Sequence, residues 1–494
     1  MQRADPPGLW DAVIIGAGIG GLTTAALLAQ AGARVLVCEQ HNQPGGYCHS
    51  WERIVRHQGQ RHRFRFDSAV HDISGVLAGG PVAAVLARLR LERALDWRPV
   101  QHAYLVPAGQ FVVDAGGHAY VSALQRAWPQ EADGIQRFFA LLRRCYDELY
   151  AYAAETGGLP RPPRNAQEMG RFLRLCPTLS PLMDQPFVLL RDAMLQAPAL
   201  RQLVSILAFY VSDAAERLSF ANMLPLYGYY FRGGCYPGGG SQQLADTLVS
   251  KIAEHGGQIR LRAPVASITV QQQRATGVVL RDGSVLQAGM VICNADPLQA
   301  FGPLLEGMQA DMASTRAGFE PSNSAFMVYL ALHHVPALAA TTILLDGDEG
   351  LMLSCPPLPG QRAPPGYTTL TLTGLVDAAE AAHWRRRDAS YAARKRAAGD
   401  RLLALAARQF PALAQHIVYR EDGSPATLHR YTWCSGNAAY GFTPASRWPR
   451  HDTPLRQLYL VGASTGLGPG IEAVMIGAAS LVEELGVTTP VCQP

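Results

Sequence analysis

The chain has 494 residues, a length at which two domains are expected rather than one. Hydrophobic residues make up 48% and charged residues 17%, which fits a globular protein with a large apolar interior and excludes a largely disordered one. The net charge of +4 is small and the basic residues are mostly scattered, so no nucleic-acid-binding function is indicated.

Cysteines and apolar runs limit the site types and the location. The nine cysteines are widely spread and include no Cys-x-x-Cys pair, so neither a disulfide framework nor a metal site is predicted. Residues 1–10 lack the basic start and apolar stretch of a secretory signal. The most apolar run, residues 203–211, has about half of the ~20 residues that a membrane span needs. We therefore expect a cytoplasmic protein.

The first predicted elements form a βαβ unit. Residues 11–15 are an apolar run with β-branched residues, residues 16–22 read Gly-Ala-Gly-Ile-Gly-Gly-Leu, and an Ala/Leu-rich stretch extends to residue 32. This order predicts a strand, a tight turn and a helix, and residues 34–39 predict a second strand that ends in an acid. Such a unit is typical of dinucleotide binding, although a glycine-rich turn without a ligand is the alternative.

Each residue of the turn has a physical role in this interpretation. Gly16 permits the tight turn, Gly18 lets the backbone approach a pyrophosphate, and Gly21 lets the helix pack closely on the sheet, with Gly20 beside it in the same motif. The pyrophosphate is expected at the helix N-terminus, where unpaired N–H groups favour anionic oxygens. Glu39 is expected to accept hydrogen bonds from the adenosine ribose.

A second glycine pair makes the motif more specific. The chain continues through Gln40 to Gly45 and Gly46, followed by Tyr47. Residues 11–46 resemble the amino-terminal signature of the phytoene desaturase, carotenoid isomerase and retinol saturase family of flavoproteins. The resemblance implies FAD as the cofactor, with Gln40 and the glycine pair beside it. The arginine that usually follows this pair in the family is Tyr47 here, so its contact is not carried over.

The middle of the chain resembles the family's return to the cofactor domain. Residues 233–241, Gly-Gly-Cys-Tyr-Pro-Gly-Gly-Gly-Ser, lead into a predicted amphipathic helix at 242–255 and strands at 258–262, 266–270 and 289–293. In the family, the backbone at the position of Val265 meets the adenine. The alternative for Val265 is a plain strand core.

Near the carboxyl end, residues 458–461 predict a strand, and a glycine-rich loop then leads into a helix that extends to about residue 485. Glycines and backbone N–H groups at a helix start suit the flavin and its ribityl chain, and the loop is similar to the family's closing motif. A loop that only caps a core helix is the alternative. The expected cofactor contacts are Gly462, Ala463, Gly470, Ile471 and Val474.

Three separated blocks on one sheet predict an α/β fold. A Rossmann-type FAD-binding domain is expected from residues 10–78, 233–300 and 451–487, and a discontinuous α+β substrate domain from residues 79–232 and 301–450. The first insertion is predicted mostly helical, with helices at 129–152, 167–175 and 199–210. The second mixes strands at 325–332, 351–355 and 368–373 with a helix at 390–409.

Substrate-binding and catalytic candidates lie outside the glycine motifs. Residues 224–231 concentrate aromatics just before the return to the cofactor domain, so Tyr227, Tyr230 and Phe231 are predicted to line a pocket for a flat conjugated chain, with plain core as the alternative. His71 and Asp72 follow the region that lies beside the flavin ring in the family.

Two further features complete the candidates. Glu472, at the start of the last helix, is a third catalytic candidate; His71 and Glu472 are alternatively a structural histidine and a carboxylate favoured by the helix dipole. Residues 53–65 carry a basic cluster, predicted on a loop, that either is solvated or contacts anionic headgroups at a membrane periphery or an acidic carrier protein.

The function implied by the resemblance is desaturation of an apolar, unsaturated small molecule, such as a carotenoid or a secondary-metabolite intermediate, free or carrier-bound. A hydride would pass to flavin N5, and the electrons would go to oxygen or a quinone. A redox-neutral cis–trans isomerase or a saturase that uses reduced FAD is the first alternative. An amine oxidase and a non-catalytic escort protein for prenyl groups are the others.

Overall fold

The computed structural model describes residues 8–487, apart from residues 115, 212–213, 309–310, 348, 357, 359–360, 445 and 447. The strands in these residues are β1 Trp10–Ile15, β2 Val35–Cys38, β3 Ser50–His57, β4 Gln60–Asp67, β5 Trp97–Val100, β6 His102–Val106, β7 Gly109–Val113, β8 Gly234–Pro237, β9 Gln258–Arg260, β10 Val265–Gln271, β11 Arg274–Leu280, β12 Val285–Cys293, β13 Ser324–Leu332, β14 Thr341–Asp346, β15 Glu349–Ser354, β16 Thr368–Val376, β17 Ile417–Gly423 and β18 Leu458–Leu460.

The α-helices of the same residues are α1 Ile19–Gln30, α2 Pro81–Arg88, α3 His118–Ala127, α4 Ala132–Glu155, α5 Ala166–Leu175, α6 Phe187–Met194, α7 Pro198–Val204, α8 Phe220–Met223, α9 Gly228–Phe231, α10 Gln242–Glu254, α11 Pro297–Ala300, α12 Ala313–Arg316, α13 Ala378–His383, α14 Tyr391–Gln409, α15 Pro425–Thr432 and α16 Ile471–Glu484.

The first sheet joins the three blocks that the sequence predicts to share it. Its parallel part has the order β9-β2-β1-β12-β18, so strands from both ends and the middle of the chain are neighbours. Strand β12 is longer than its partners: residues 285–287 pair antiparallel with β11, and residues 291–293 pair parallel with β18. One strand therefore belongs both to the parallel sheet and to the antiparallel β10-β11-β12 meander.

Helix α1 lies against this sheet, with α10 and α16 as its neighbours. Its sequence is apolar or small on all sides, and residues 19–29 are buried. A helix that is hydrophobic all round is stable only when it is enclosed. The enclosure holds the N-terminus of α1 and the adjoining glycine turn at the carboxyl edge of the sheet, where ligands of open α/β sheets bind.

The second sheet contains strands from both predicted insertions. Its order is β17-β13-β16-β15-β14-β6-β7, and β14 pairs parallel with β6. The interpretation of the first insertion as mostly helical missed β5, β6 and β7, because strands of four or five residues carry little periodic signal. Helix α14 packs on β13, β15, β16 and β17.

The two sides of β13 show how the second sheet is placed. Phe326, Val328 and Leu330 belong to the core shared with α14, whereas Met327 and Tyr329 face a cluster that includes Phe64 and Phe66 of β4. The alternation follows from the two-residue period of a strand. Strand β13 therefore separates a helical layer from the β3–β4 pair.

The basic segment at residues 53–65 is a hairpin and not the predicted loop. Strands β3 and β4 pair antiparallel from Ser50 opposite Asp67 to His57 opposite Gln60. Alternate positions place Val55, Phe64 and Phe66 in the core and leave Arg56, Arg61, Arg63 and Arg65 on the other face, whereas Arg53 shares the inner face and pairs with Glu421 of β17. The charged composition concealed a strand pattern of period two.

Candidate functional site

A cavity of about 1510 Å³ lies between the glycine loops, the β3–β4 hairpin and the second sheet. Pockets for single small ligands measure about 300–1000 Å³, so this volume accommodates a dinucleotide together with a second molecule. Nearly all of the predicted cofactor contacts line it: Gly16, Gly18, Gly20, Glu39, Gln40, Gly45, Gly46, Val265, Gly462, Ala463, Gly470, Ile471 and Val474.

The glycine motif at the start of α1 is held by backbone hydrogen bonds. Gly16 has φ +95°, which favours glycine, and its N–H donates to the carbonyl of Cys38 at 2.8 Å. Gly21 does not line the cavity; a Cβ there would lie 2.3 Å from the carbonyl oxygen of Gly16. This agrees with its predicted role in close packing of the helix, not with direct contact to a ligand.

Asn294 joins the two glycine loops, and sequence reasoning did not single it out. It follows β12, and a Cβ on Gly18 would lie 2.8 Å from its Nδ2. A Cβ on Gly20 would lie 2.8 Å from its Oδ1 and 3.0 Å from Gly462 Cα. The amino-terminal and carboxyl-terminal loops therefore meet at one amide side chain, at distances that only glycines allow.

Both helix starts fit an anionic nucleotide. The cap residues Gly18 of α1 and Gly470 of α16 have no side-chain hydrogen bond to the helix, and both line the cavity. The first N–H groups of these helices lack side-chain partners, which is the condition for binding phosphate oxygens. The cavity, with glycine backbones lining it at both helix starts, thus fits FAD, a cofactor long enough to reach both.

Glu39 lies at the predicted end of the second strand. The residue is 8% exposed, and its two carboxylate oxygens accept hydrogen bonds from the backbone N–H groups of Ala17 and His41, each at 2.7 Å. The carboxylate thus fixes the turn after β1 against the turn after β2. Gln40 lines the cavity as well, and its Nε2 donates to the carbonyl of Tyr431 at 3.0 Å.

The predicted aromatic substrate contacts do not line the cavity. Tyr227 and Tyr230 are fully buried in the helical core, and the hydroxyl of Tyr227 donates to the carbonyl of Val204 at 2.6 Å. Phe231 packs against the same core, with the guanidinium of Arg143 over its ring. Successive residues of a helical turn point in different directions, and of residues 224–231 only Tyr229 lines the cavity.

Tyr229 and Tyr210 form an aromatic wall. Their rings stack with centroids 5.0 Å apart, and both line the cavity. Tyr440 lines it from the carboxyl-terminal part of the chain; burial, together with the charge of Asp72, raises the pKa of Tyr440 to about 12. These phenols are therefore neutral at physiological pH.

Asp72 is the buried carboxyl of this wall. His102 Nε2 lies 2.6 Å from Asp72 Oδ2, and the hydroxyl of Tyr210 donates to the same oxygen at 3.1 Å. Burial alone would raise the pKa of Asp72, but the nearby His71 and the hydrogen bonds from His102 and Tyr210 hold it below its usual value. His71 and Asp72 line the cavity as predicted, whereas His102, thirty positions along the chain, was not foreseen.

Glu472 lies away from the cavity wall. Its Oε1 accepts a hydrogen bond from the hydroxyl of Tyr150 at 3.0 Å, and a Cβ on Gly75 would lie 2.8 Å from its carboxyl carbon. Burial raises the pKa of Glu472, opposed by hydrogen bonds from Ser74 and Tyr150 and by the charge of Arg232. Glu472 thus lies where α16 meets α4, and this position does not fit a direct catalytic role.

Other site types have no counterpart in the described residues. No group of three or more histidine, cysteine or acidic side chains among them is arranged to hold a metal ion. Cysteines 38, 48, 145, 176, 235, 293, 355 and 434 are free thiols, and Cys492 lies outside the described residues. Among the described residues, no helix combines the length and the apolar composition that a bilayer span requires.

Comparison with known proteins places the chain among flavoproteins. It is 28% identical to a phytoene desaturase (lycopene-forming) from Paracoccus sp., over 98% of both chains. It is 25% identical to a rat all-trans-retinol 13,14-reductase, over 96% of this chain and 86% of the relative. A chloroplastic prolycopene isomerase from Daucus carota is 26% identical over 94% of this chain and 78% of its own.

Solved structures share the fold. An oxidoreductase from Methanosarcina mazei has a TM-score of 0.66 at 18% identity, over 96% of this chain and 99% of its own. A putrescine oxidase has a TM-score of 0.60 at 16% identity, over 97% and 100%. The pattern of the family described as flavin-containing amine oxidoreductase extends over residues 19–477, which include Gly20, Asn294 and the carboxyl-terminal glycine loop. The chain therefore belongs to the flavin-containing amine oxidoreductase family, and its cofactor is FAD.

Proposed function

We propose that the protein oxidises a carbon–carbon single bond of an apolar, unsaturated chain to a double bond. The proposal rests on the contacts that the buried carboxylate of Asp72 already makes within the protein at the cavity wall. The Asp72 carboxylate is already engaged by the protein: Oδ2 accepts hydrogen bonds from His102 and Tyr210, and Oδ1 is turned towards His71, whose Nε2 lies 3.6 Å away. An amine substrate needs an unengaged negative group, because a buried cation without a partner is costly.

An aromatic and thioether part of the cavity wall suits an extended hydrocarbon. Met327, Tyr329 and Met352 of the second sheet line the cavity opposite the glycine loops, together with Trp51 of the hairpin, whose ring meets Tyr329 edge-on at 4.7 Å. Flat aromatic faces and flexible thioethers pack against a conjugated chain without demanding hydrogen bonds. The relatives named for phytoene, prolycopene and all-trans-retinol align over most of this chain and support the same substrate class.

The residues of the chain position the cofactor and the substrate and exclude water from the site. Bound FAD supplies a two-electron acceptor at flavin N5. The glycine loops fix the nucleotide from both ends, and the aromatic wall holds the substrate bond against it and excludes water. Oxygen or a quinone is the acceptor that we propose for the second half of the cycle.

Anaerobic flavin spectroscopy tests the proposal. The FAD-loaded protein is mixed with phytoene in detergent, and the oxidised flavin absorbance should bleach with one equivalent of desaturated product per flavin. Putrescine serves as the amine probe and should leave the spectrum unchanged. Bleaching by putrescine and not by phytoene contradicts the proposal and favours an amine oxidase.

A second candidate is isomerisation or saturation of a similar chain, which the prolycopene isomerase and retinol reductase relatives favour. It is tested with the flavin reduced beforehand. Conversion of prolycopene that leaves the flavin reduced indicates isomerisation, whereas anaerobic reoxidation of the flavin by all-trans-retinol indicates saturation. Either result, with no bleaching by phytoene, replaces desaturation as the function.

A further inference from the structure

His71 is a titratable side chain at the aromatic wall, and one of its ring nitrogens lacks a hydrogen-bond partner. It lines the cavity, its side chain is 13% exposed, and its ring lies 5.8 Å from that of Tyr210. Its Nδ1 is 3.0 Å from the carbonyl oxygen of Ala69. A carbonyl oxygen only accepts hydrogen bonds, so Nδ1 carries the hydrogen of the neutral ring.

The other ring nitrogen is therefore the site where a second proton binds. His71 Nε2 is buried and has no hydrogen-bond partner in the structure. Asp72 Oδ1 lies 3.6 Å away, too far for a hydrogen bond to the neutral ring but close enough to stabilise a positive charge. A buried polar atom without a partner is costly, and uptake of a proton converts it into one half of an ion pair with Asp72.

Asp72 is held in place for this pairing. His102, at the start of β6, and Tyr210, in the 3₁₀ segment Ile206–Val211, both bind its Oδ2 and leave Oδ1 turned towards His71. His102 is 2% exposed, and its ring is packed edge-on against Tyr229 at 5.3 Å. The carboxylate therefore cannot turn away from His71 without breaking two hydrogen bonds.

We propose that His71 Nε2 takes up the proton that the substrate releases and that Asp72 positions His71 and stabilises the imidazolium. This inference rests on the proposed function. One substrate carbon gives a hydride, a proton with two electrons, to bound FAD. Its neighbour gives a proton to His71 Nε2, and the electron pair left by that second C–H bond forms the double bond. Reoxidation of the flavin by the electron acceptor completes the cycle, and His71 returns its proton to solvent.

The surrounding groups leave His71 as the base of this wall. Asp72 faces it from the same loop and Tyr210 from a helical segment. Behind these two, His102 of β6 bonds to Asp72, and Tyr229 stacks on Tyr210. Tyr440 faces Asp72 from the carboxyl-terminal part of the chain. Burial raises the pKa of Tyr210, Tyr229 and Tyr440, so these phenols do not accept a proton at neutral pH.

The test compares His71→Gln, Asp72→Asn and the exposed control His334→Gln, all loaded with FAD. Phytoene bleaching under anaerobic single-turnover conditions should slow by about 100- to 10,000-fold in His71→Gln, the usual contribution of a general base. Asp72→Asn should slow it by about 10- to 100-fold, since one fixed opposite charge is lost. The wild-type rate of flavin bleaching should fall as the pH is lowered, because a base that is already protonated cannot accept the substrate proton. The rate of His71→Gln should not show this fall. Equal pH profiles for wild type and His71→Gln overturn the proposal.

A substrate-free measurement separates this inference from the proposed function. Isotope-labelled histidine ring nitrogens are observed by NMR in the FAD-loaded protein, and the signals missing from His71→Gln belong to His71. Their neutral form should carry hydrogen on Nδ1. A neutral form with hydrogen on Nε2 overturns the inference whatever the substrate is. Failure of phytoene to bleach the wild type, with the expected Nδ1–H form present, counts against the proposed function and not against the bonding of His71.

Discussion

The contact between the two glycine loops is set by a single side chain. Asn294 fills the space between Gly18, Gly20 and Gly462, and its Nδ2 donates to the carbonyl of Gly16 at 3.4 Å. One amide thereby spaces the two loops that approach the nucleotide. Adding one methyl group to a glycine of these loops is expected to affect cofactor binding more than the same addition elsewhere on a helix.

The variant Gly20→Ala tests this expectation. Its Cβ would lie 2.8 Å from Asn294 Oδ1 and 3.0 Å from Gly462 Cα, closer than side chains pack. We expect a lower FAD content after purification and a loss of about 1–3 kcal/mol in the free energy of unfolding, the usual cost of overpacking. The measurements are flavin absorbance per protein and the thermal midpoint.

Gly170→Ala is the matched control for this variant. Gly170 lies within α5, and a Cβ there meets no atom within 4 Å. The control should retain full FAD content and lose no stability, because alanine favours a helix. Equal FAD content in Gly20→Ala and Gly170→Ala would contradict the close approach of the two loops.

The sequence could predict residues whose role is local. Gly16 and Glu39 fall where the βαβ pattern requires them, because the turn, the helix start and the strand end are consecutive in the chain. Tyr227 and Tyr230 were wrong as cavity residues, since the direction of a side chain on a short helical turn depends on packing. His102 was missed because only the folded chain brings β6 beside Asp72.

Arginines connect the helical elements to α16. Glu483 of α16 accepts from Arg88 of α2 at 2.7 Å and pairs with Arg164 at 3.0 Å and Arg161 at 3.5 Å. Arg161 also holds Glu168 of α5 through two hydrogen bonds, at 2.7 and 3.0 Å. These pairs attach the helices of the first insertion to the last helix of the cofactor-binding sheet.

Glu168→Gln should weaken this attachment in a pH-dependent way. The hydrogen bond from Arg161, foremost among several interactions, lowers the pKa of Glu168 to about 2 from its usual value of 4.5. Since the folded pKa is the lower one, the carboxylate contributes stability above about pH 4.5, and this contribution is lost as the pH falls towards about 2. At neutral pH the variant should lose about 1–3 kcal/mol in the free energy of unfolding, because the buried Arg161 loses the nearer of its two charged partners.

Thermal unfolding at several pH values measures this effect. The difference between wild type and Glu168→Gln should be largest near neutral pH and shrink through the acid range. Glu92→Gln, at an exposed acid before β5, provides the control and should unfold like the wild type throughout. A difference that stays constant with pH would show that the charge of Glu168 is not what stabilises the helices.

Long elements were more predictable than short ones. The predicted helix at 390–409 and strand at 325–332 are found as α14 and β13 with shifts of one residue, because their patterns run over many positions. The hairpin β3–β4 was interpreted as a loop because arginines occupy its outer face. Strand β6 was missed because it is short and because its partner β14 is more than two hundred positions away, and the short strand β7, which pairs with β6, was missed with it.

The whole molecule closes around the cofactor from segments that are distant in the chain. The cavity is lined by Gly16 and Gly18, by Gly45 and by residues of the loop before α16. A ligand that contacts all of these stabilises the folded state by about 2.7 kcal/mol when present at a hundred times its Kd. Binding should therefore protect the three segments together.

Hydrogen exchange tests this coupling. Adding FAD to the flavin-free protein should slow amide exchange at residues 16–22, 45–48 and 462–474 over the same FAD concentration range. The exposed helix α5 provides the internal control, and its exchange should change least. Protection that reaches residues 16–22 without the carboxyl-terminal loop would contradict a site formed by both ends of the chain.

Strand β12 imposes a limit on how this fold can vary. Its first residues pair with β11 and its last with β18, while its other edge pairs with β1, and its side chains alternate between two cores, with Ile292 on one side and Val291 and Cys293 on the other. A shift of β12 by one residue would move each of its side chains to the opposite core and would change its register with β1, β11 and β18 at the same time. Insertions and deletions can thus accumulate in the two intervening regions, but not within this strand, whose register is shared by the sheet and the meander.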